Sequence, residues 1–509
     1  MPSDSDSESG DSSGSDTAPT PVCIPGATMA CVCTNGTQGA QVCNDAGSAF
    51  GACECEVGTT GTTTPSTTMP PTGEVTGDDS TGDDTGTPSC EGDDCGKLDV
   101  LFVIDNSGSM AEEQAGLAAA MPLLAEQLTN LTSASGEPVA PDIQVMVTTV
   151  DFGNPLCTPF RPDDYEPSRG APISTACTDR LSDFDNLTGS VSAPEACTDL
   201  CPSGVAPIDD FITIVGPDPA DNNVPDVAPV DIDGDGVPEG DVAQALACLV
   251  PQGINGCGYE SQLENMLQAL NPGAAWNQGG QPFLRDGANL AIVIFSDEYD
   301  CSVKDYSIME DPTFQEVNPD TGMTAGSSAI CWNAGVQCTG PDAMGVYSDC
   351  TSNDAVENLQ PVARYTNYLI ADLRDNQGKE VFMLAVTGIP LVTEYAADFP
   401  HQPVAGGVFD LVYRNWIDGQ YPAGDILPVE FNNGETAADK QFDFGIGPGC
   451  TGQDGMGGFT GQAMPPVRVR EVCEALNLED APRCCMTSIC DDDLGDAMSC
   501  MTNLVRSTL

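Results

Sequence analysis

An α/β fold with a doubly wound, mostly parallel sheet is predicted by two observations. Short apolar runs alternate along the chain with segments of helical spacing, the order that builds parallel strands joined by helical crossovers. The runs are also apolar without alternation, as strands covered on both faces must be. Residues 98–105 form the first run, too short for a buried helix and rich in β-branched side chains. Residues 112–128 follow with Leu117, Met121, Leu124 and Leu128 on one helical face. Residues 142–150, 290–297 and 381–387 read as further strands, and residues 261–270 and 364–373 as helices. Two more helical patterns lie at 469–476 and 494–501.

Composition divides the chain. Residues 1–22 are Ser, Asp, Gly and Pro and are expected to be disordered, because so few apolar groups cannot offset the ordering entropy. Cys23, Cys31, Cys33, Cys43, Cys53 and Cys55 fall within 23–55, a small disulfide-stapled module. Residues 56–95 are a Thr/Gly/Asp-rich linker. The α/β domain then spans 96–509. Cysteine-, Pro- and Gly-rich stretches at 152–240 and 303–355 are expected as loop insertions, and a helical extension closes the chain.

The chain has 15 Lys+Arg against 78 Asp+Glu, a formal charge of -63. Such a balance repels nucleic acid and anionic membrane and favours hard cations with oxygen ligands. No run of 18 apolar residues occurs, so no transmembrane segment is expected. The 24 cysteines come with one histidine and without repeated C-x₂-C pairs. Disulfides are therefore expected rather than zinc sites, and with them an oxidising location: extracellular, cell surface or periplasmic. The segment after Met1 has no basic or apolar leader region. The export expectation thus places a signal peptide, or a lipid-anchoring cysteine, upstream of this sequence. Cys248 and Cys257 are expected to pair locally, and the adjacent Cys484 and Cys485 to take different partners.

The first strand runs into Asp105, Asn106, Ser107, Gly108, Ser109 and Met110, with a helix beyond. Ligands of open α/β sheets sit at the carboxyl ends of strands. One carboxylate and two hydroxyls on a tight turn there suit Mg2+ or Ca2+. The strand at 290–297 brings Asp297 to the same edge. A second acidic loop, Asp231, Asp233, Asp235, Val237 and Glu239 with Asp241 nearby, has carboxylates at alternate positions and Gly236 for a sharp turn. It is expected to bind Ca2+, with the Val237 carbonyl as one ligand, and to act as a structural staple. Position 242, a Val, lacks the last Glu of a full EF-hand loop.

The D-x-S-x-S pattern of Asp105, Ser107 and Ser109, with Asp297 on a later strand, resembles the von Willebrand factor A (VWA) family and its metal-ion-dependent adhesion site. The resemblance covers roughly 97–400. It implies a Rossmann-like fold in which Ser107 and Ser109 coordinate the metal. Asp105 and Asp297 bind it directly or through water, and one position is left for an acidic group of a partner. Glu260 stands where the family supplies a Thr. That departure implies tighter metal binding and a weaker pull on an acidic partner. Further segments at 256–260, 283–287, 296–302 and 488–490 resemble exported bacterial VWA proteins with cysteine-rich N-terminal stalks. The expectation is cation-dependent binding or adhesion to a protein or extracellular-matrix ligand. The alternative is a cell-surface structural protein whose ions only stabilise the fold. No catalysis is expected: His401, the only histidine, lies in a loop-like context without a nucleophile motif.

Overall fold

The computed structural model describes residues 28–32, 38–42, 96–157, 166–186, 191–216, 221–355, 358–416, 436–453, 459–479 and 481–509. Residues 1–83 and 84–509 form separate units. In the first, Thr28–Val32 and Gln38–Val42 pair as an antiparallel hairpin, with Thr28 opposite Val42. The expectations for 1–22, for 56–95 and for most of 23–55 lie outside the described residues.

Six strands form the central sheet of the second unit: β1 (Gly96–Ile104), β2 (Pro141–Thr149), β3 (Ile212–Val215), β4 (Asn289–Phe295), β5 (Val381–Thr387) and β6 (Cys484–Ser488). Their order is β6-β5-β4-β1-β2-β3. All neighbours are parallel except β3, which runs antiparallel to β2 at one edge. The fold is thus mixed α/β with a mostly parallel sheet.

The seven helices that matter for the site are α1 (Ala111–Ala119), α2 (Met121–Thr129), α3 (Asp241–Leu249), α4 (Gln262–Ala269), α5 (Val362–Thr366), α6 (Val467–Ala475) and α7 (Gly495–Arg506). Side chains of β1 alternate between two cores, which explains its unbroken apolar run. Val100, Phe102 and Ile104 pack with Leu117, Leu124, Leu246 and Met501 on one face. Leu101 and Val103 pack with Leu263, Met266, Tyr365 and Val472 on the other. Burying a Leu or Phe in this way contributes about 2 kcal/mol each before entropy is counted.

Three sequence expectations need correction, and one strand was not anticipated. The helix over 112–128 is two helices, broken at Ala120, because Pro122 lacks an amide hydrogen and starts a new first turn. The helix at 364–373 begins at Val362 and widens to π-type turns over Asn367–Asn376. The stretch 152–240 is more than a loop insertion, since it supplies the edge strand β3. The strand β6 was not anticipated: between the two helical patterns, its Cys-Cys-Met-Thr-Ser run becomes a strand by pairing with β5.

Eight disulfides join described cysteines, and no described cysteine is free. Cys248 and Cys257 do not pair. Cys248 faces the core from α3 and bonds Cys201, whereas Cys257 lies beyond the next turn and bonds Cys157. Cys484 bonds Cys473 and Cys485 bonds Cys500, in line with separate partners. Alternate side chains of a strand point to opposite faces, so neighbours in β6 reach opposite sides of the sheet. Such dense bridging is compatible with an oxidising extracellular location. Among the described residues no helix is long and apolar enough to cross a membrane.

Candidate metal centre

Parallel pairing places the carboxyl ends of β1, β2 and β4 side by side, with Ile104 opposite both Thr149 and Phe295. The next residue of β1 is Asp105, held by its amide to the Phe295 carbonyl at 2.8 Å. Its carboxylate is fully buried. Oδ1 accepts from the Ser107 amide at 2.8 Å, and Oδ2 accepts from the Ser296 hydroxyl at 2.5 Å. The Ser107 and Ser109 hydroxyls lie 3.2 Å apart, the first buried and the second exposed.

Two contacts pin this turn to the loop before α4. The buried Gln114 amide donates to the carbonyls of Asp105 and Gly253, each at 2.7 Å, and its oxygen accepts from the amides of Gln252 and Gly253. Gly256 donates to the Asn106 carbonyl at 2.5 Å, and a Cβ there would stand 2.3 Å from that oxygen. The same loop delivers Glu260, which is 1% exposed, and its carbonyl accepts from the Cys301 amide at 2.6 Å.

Asp297 follows β4 and is also buried. Its backbone carbonyl accepts from the Met464 amide at 2.6 Å, and Ser109 hydrogen-bonds its carboxyl. Glu260 Oε1, Asp297 Oδ1 and Glu298 Oε2 are buried without a hydrogen-bond partner.

Electrostatics sharpen the point. Burial pushes Glu260 well above the usual carboxylate range, and the nearby charges of Asp105, Glu298 and Asp297 add to it. Asp297 is raised well above its ordinary value by burial, then by Asp105, Glu298 and Glu113. Glu298 is pushed up to about 8, first by burial and next by Asp105. Asp105 rises only to about 6, because the Ser296 and Ser107 hydrogen bonds offset part of its burial. Carboxylates so placed cannot all ionise unless a cation joins them; without one, some keep their protons.

The structure therefore brings Asp105, Ser107, Ser109, Glu260 and Asp297 to one edge of the sheet. Sequence reasoning left four neighbours out of the site. Ser296 and Glu298 flank Asp297 in the same tripeptide, so adjacency was the available signal. Asp151, just past β2, accepts from the amides of Gly153 and Cys257 and acts electrostatically on Asp105. Neither it nor Gln114 carried a local signature, since both act across more than a hundred residues or through backbone contacts.

The acidic loop is built differently. Asp231 accepts from the amides of Gly234 and Gly236 at 2.8 and 3.1 Å, Asp233 from Asp235, and Asp235 from Val237. Glu239 accepts from the Ile232 amide at 2.7 Å. Carboxylate oxygens of Asp231, Asp233 and Glu239 lie within 4.8 Å of one another, so these three could hold an ion together. Asp235 is outside that group, and its oxygen is turned to the Val237 amide. Asp241 starts α3 and is engaged by the Val242 amide and Asn222. The carboxylates of the Asp105 centre do not close into a triad of that tightness. His401 sits exposed at a turn, with its ring 3.0 Å from the Ala396 carbonyl.

No family model, curated protein or solved structure matches the chain.

Proposed function

We propose that residues 97–509 are a VWA-type module of an exported protein that binds or adheres to a partner in a divalent-cation-dependent way, without catalysing a reaction. The observation that carries this reading is the set of buried carboxyl oxygens on Glu260, Asp297 and Glu298 with no hydrogen-bond partner beside Asp105. Buried polar groups left unpaired cost about 1–3 kcal/mol each, and charged ones more, so an ion is the natural complement. Ser107, Ser109, Asp105, Asp297 and Glu260 would hold Mg2+ or Ca2+. Bound there, the ion would act as a Lewis-acidic anchor for a carboxylate of a protein or matrix ligand. The exposed Ser109 hydroxyl marks the open side. The Asp231 loop would hold Ca2+ through Asp231, Asp233, Glu239 and the Val237 carbonyl, with Asp235 recruited on binding.

A second reading is kept because of Glu260 and Glu298. Each extra carboxylate neutralises the ion further, and a neutralised ion has less pull on an outside acid. In that reading both ions only stabilise the fold.

Titration calorimetry of the full chain with Ca2+ and with Mg2+ tests the centre. Asp105→Ala with Ser107→Ala should remove one binding event, and unchanged stoichiometry would place the ion elsewhere. A pull-down with and without EDTA, with circular dichroism in parallel, separates the two readings. Partner capture lost in EDTA while the fold persists supports the binding reading; capture that survives EDTA supports the structural one.

A further inference from the structure

Glu260 reaches the sheet edge from a stretch without regular structure. The helix α3 ends at Leu249, α4 starts at Gln262, and residues 250–261 between them form neither helix nor strand. Glu260 Oε1 is buried without a hydrogen-bond partner, so the path of the backbone decides where that oxygen sits. Keeping a carboxylate oxygen dry and unpaired costs free energy. A segment this irregular therefore needs something that holds the residue away from water.

Two buried disulfides frame it. Cys257, three positions before Glu260, bonds Cys157, and its amide donates to the Asp151 carboxylate at 3.1 Å. On the other side Cys301 bonds Cys331. The Cys301 amide donates to the Glu260 carbonyl at 2.6 Å, and the Cys301 carbonyl accepts from the Ser261 hydroxyl at 2.9 Å. Ser328, three positions before Cys331, donates its hydroxyl to the Gly258 carbonyl at 3.0 Å. Hydrogen bonds can be exchanged for bonds to water, whereas a covalent bridge cannot. We propose that Cys157–Cys257 and Cys301–Cys331 are positioning bridges of the Asp105 centre. They keep Glu260 at the sheet edge against its preference for water, so the centre binds its cation at full strength only when both are closed. The effect on the cation rests on the function proposed above; the placement of Glu260 does not.

The test compares the full chain with Cys157→Ala plus Cys257→Ala and with Cys301→Ala plus Cys331→Ala. Cys338→Ala plus Cys350→Ala is the control, because that bridge joins two strands, Val336–Thr339 and Val346–Ser352, that supply no residue to the centre. Near-ultraviolet circular dichroism and melting show which variants fold. Calorimetry with Ca2+ and with Mg2+ then reads the binding event that Asp105→Ala removes. Each of the first two variants should weaken that event at least about ten-fold, as loss of a group that orients a metal ligand does. The control should lose melting temperature but not affinity. Hydrogen exchange without any cation gives a second reading: amides of residues 258–261 should exchange at least about ten-fold faster in the first two variants and not in the control. If the unaltered chain binds the ion and both variants bind it equally well, the proposal is overturned. An equal loss in the control overturns it too, as does failure of both variants to fold, which would assign the bridges to the fold as a whole. Faster exchange in a chain that shows no Asp105-dependent binding event overturns the metal reading and leaves the positioning of Glu260 standing.

Discussion

The Asp105 centre and the Asp231 loop are both carboxylates on tight glycine-containing turns, yet the chain treats them in opposite ways. Asp231, Asp233 and Asp235 are exposed, and backbone amides of their own loop satisfy them. Water solvates what remains, so that loop carries no desolvation penalty for an ion to offset. Asp105, Glu260 and Asp297 are buried, and only Asp105 is well supplied with donors. The lesson is that the number of carboxylates does not decide how strongly a site wants a cation. Desolvation does, because it removes the alternative solvent shell.

The largest expected effect concerns how each turn is held. Gly256→Ala drives a Cβ to 2.3 Å from the Asn106 carbonyl oxygen, a backbone clash that no side chain can relieve. Its cost should be on the order of 4 kcal/mol or more, in the range reserved for severe packing faults. Gly236→Ala meets nothing within 4 Å and suffers only from φ +91°, so it should cost about 1–2 kcal/mol. Urea unfolding of both variants checks this, and equal losses would erase the contrast.

Next in size is the response of the cation-free protein to pH. Burial raises Asp105 and Glu298 in the folded state, to about 6 and about 8 from their ordinary values of 3.8 and 4.5. The folded chain therefore binds more protons than the unfolded chain between about pH 4 and 8. Stability should be highest at the acid end of that window and fall as pH rises through it, by a few kcal/mol in all. Saturating Ca2+ should flatten the slope, because the ion replaces the protons. Unfolding curves at stepped pH, with EDTA or with Ca2+, measure both. A slope of opposite sign without the ion would mean that the carboxyls are not desolvated as described.

The smallest effect belongs to the exposed loop. Asp233→Ala with Asp235→Ala should lower the Ca2+-dependent rise in melting temperature by about 2–4 °C, the shift that roughly 1 kcal/mol of linked binding produces in a large domain. Partner capture should be spared. Asp105→Asn should do the reverse, and scanning calorimetry combined with the pull-down distinguishes them. If both variants lose the same property, the two regions are not separate sites.

Much of this was legible before any tertiary contact was known. The strands β1, β2, β4 and β5 could be read because burial on both faces leaves a continuous apolar run, a local record of a global position. The Asp105 turn and the Asp231 loop could be read because their oxygens are spaced along a few consecutive residues. β6 could not, since Cys-Cys-Met-Thr-Ser has little strand propensity and owes its conformation to β5. The break at Ala120 was in principle readable from Pro122, but the apolar spacing runs through it and hid the interruption.

What the sequence determined by itself is therefore the class of fold, the acidic and disulfide-bonded character, and the two clusters of oxygen ligands, all of which depend on residue type and short spacing. What only the tertiary structure decided is which distant groups share a dielectric. Cys257 meets Cys157 rather than Cys248, Ser296 donates to Asp105 across 191 positions, and Gln114 clamps Gly253 from 139 positions away. Glu260 and Glu298 act as buried charges beside Asp105 only because parallel pairing brings their loops to one sheet edge. Hydrogen bonds and ionisation depend on distance and solvent exclusion in space, and no spacing along the chain records either.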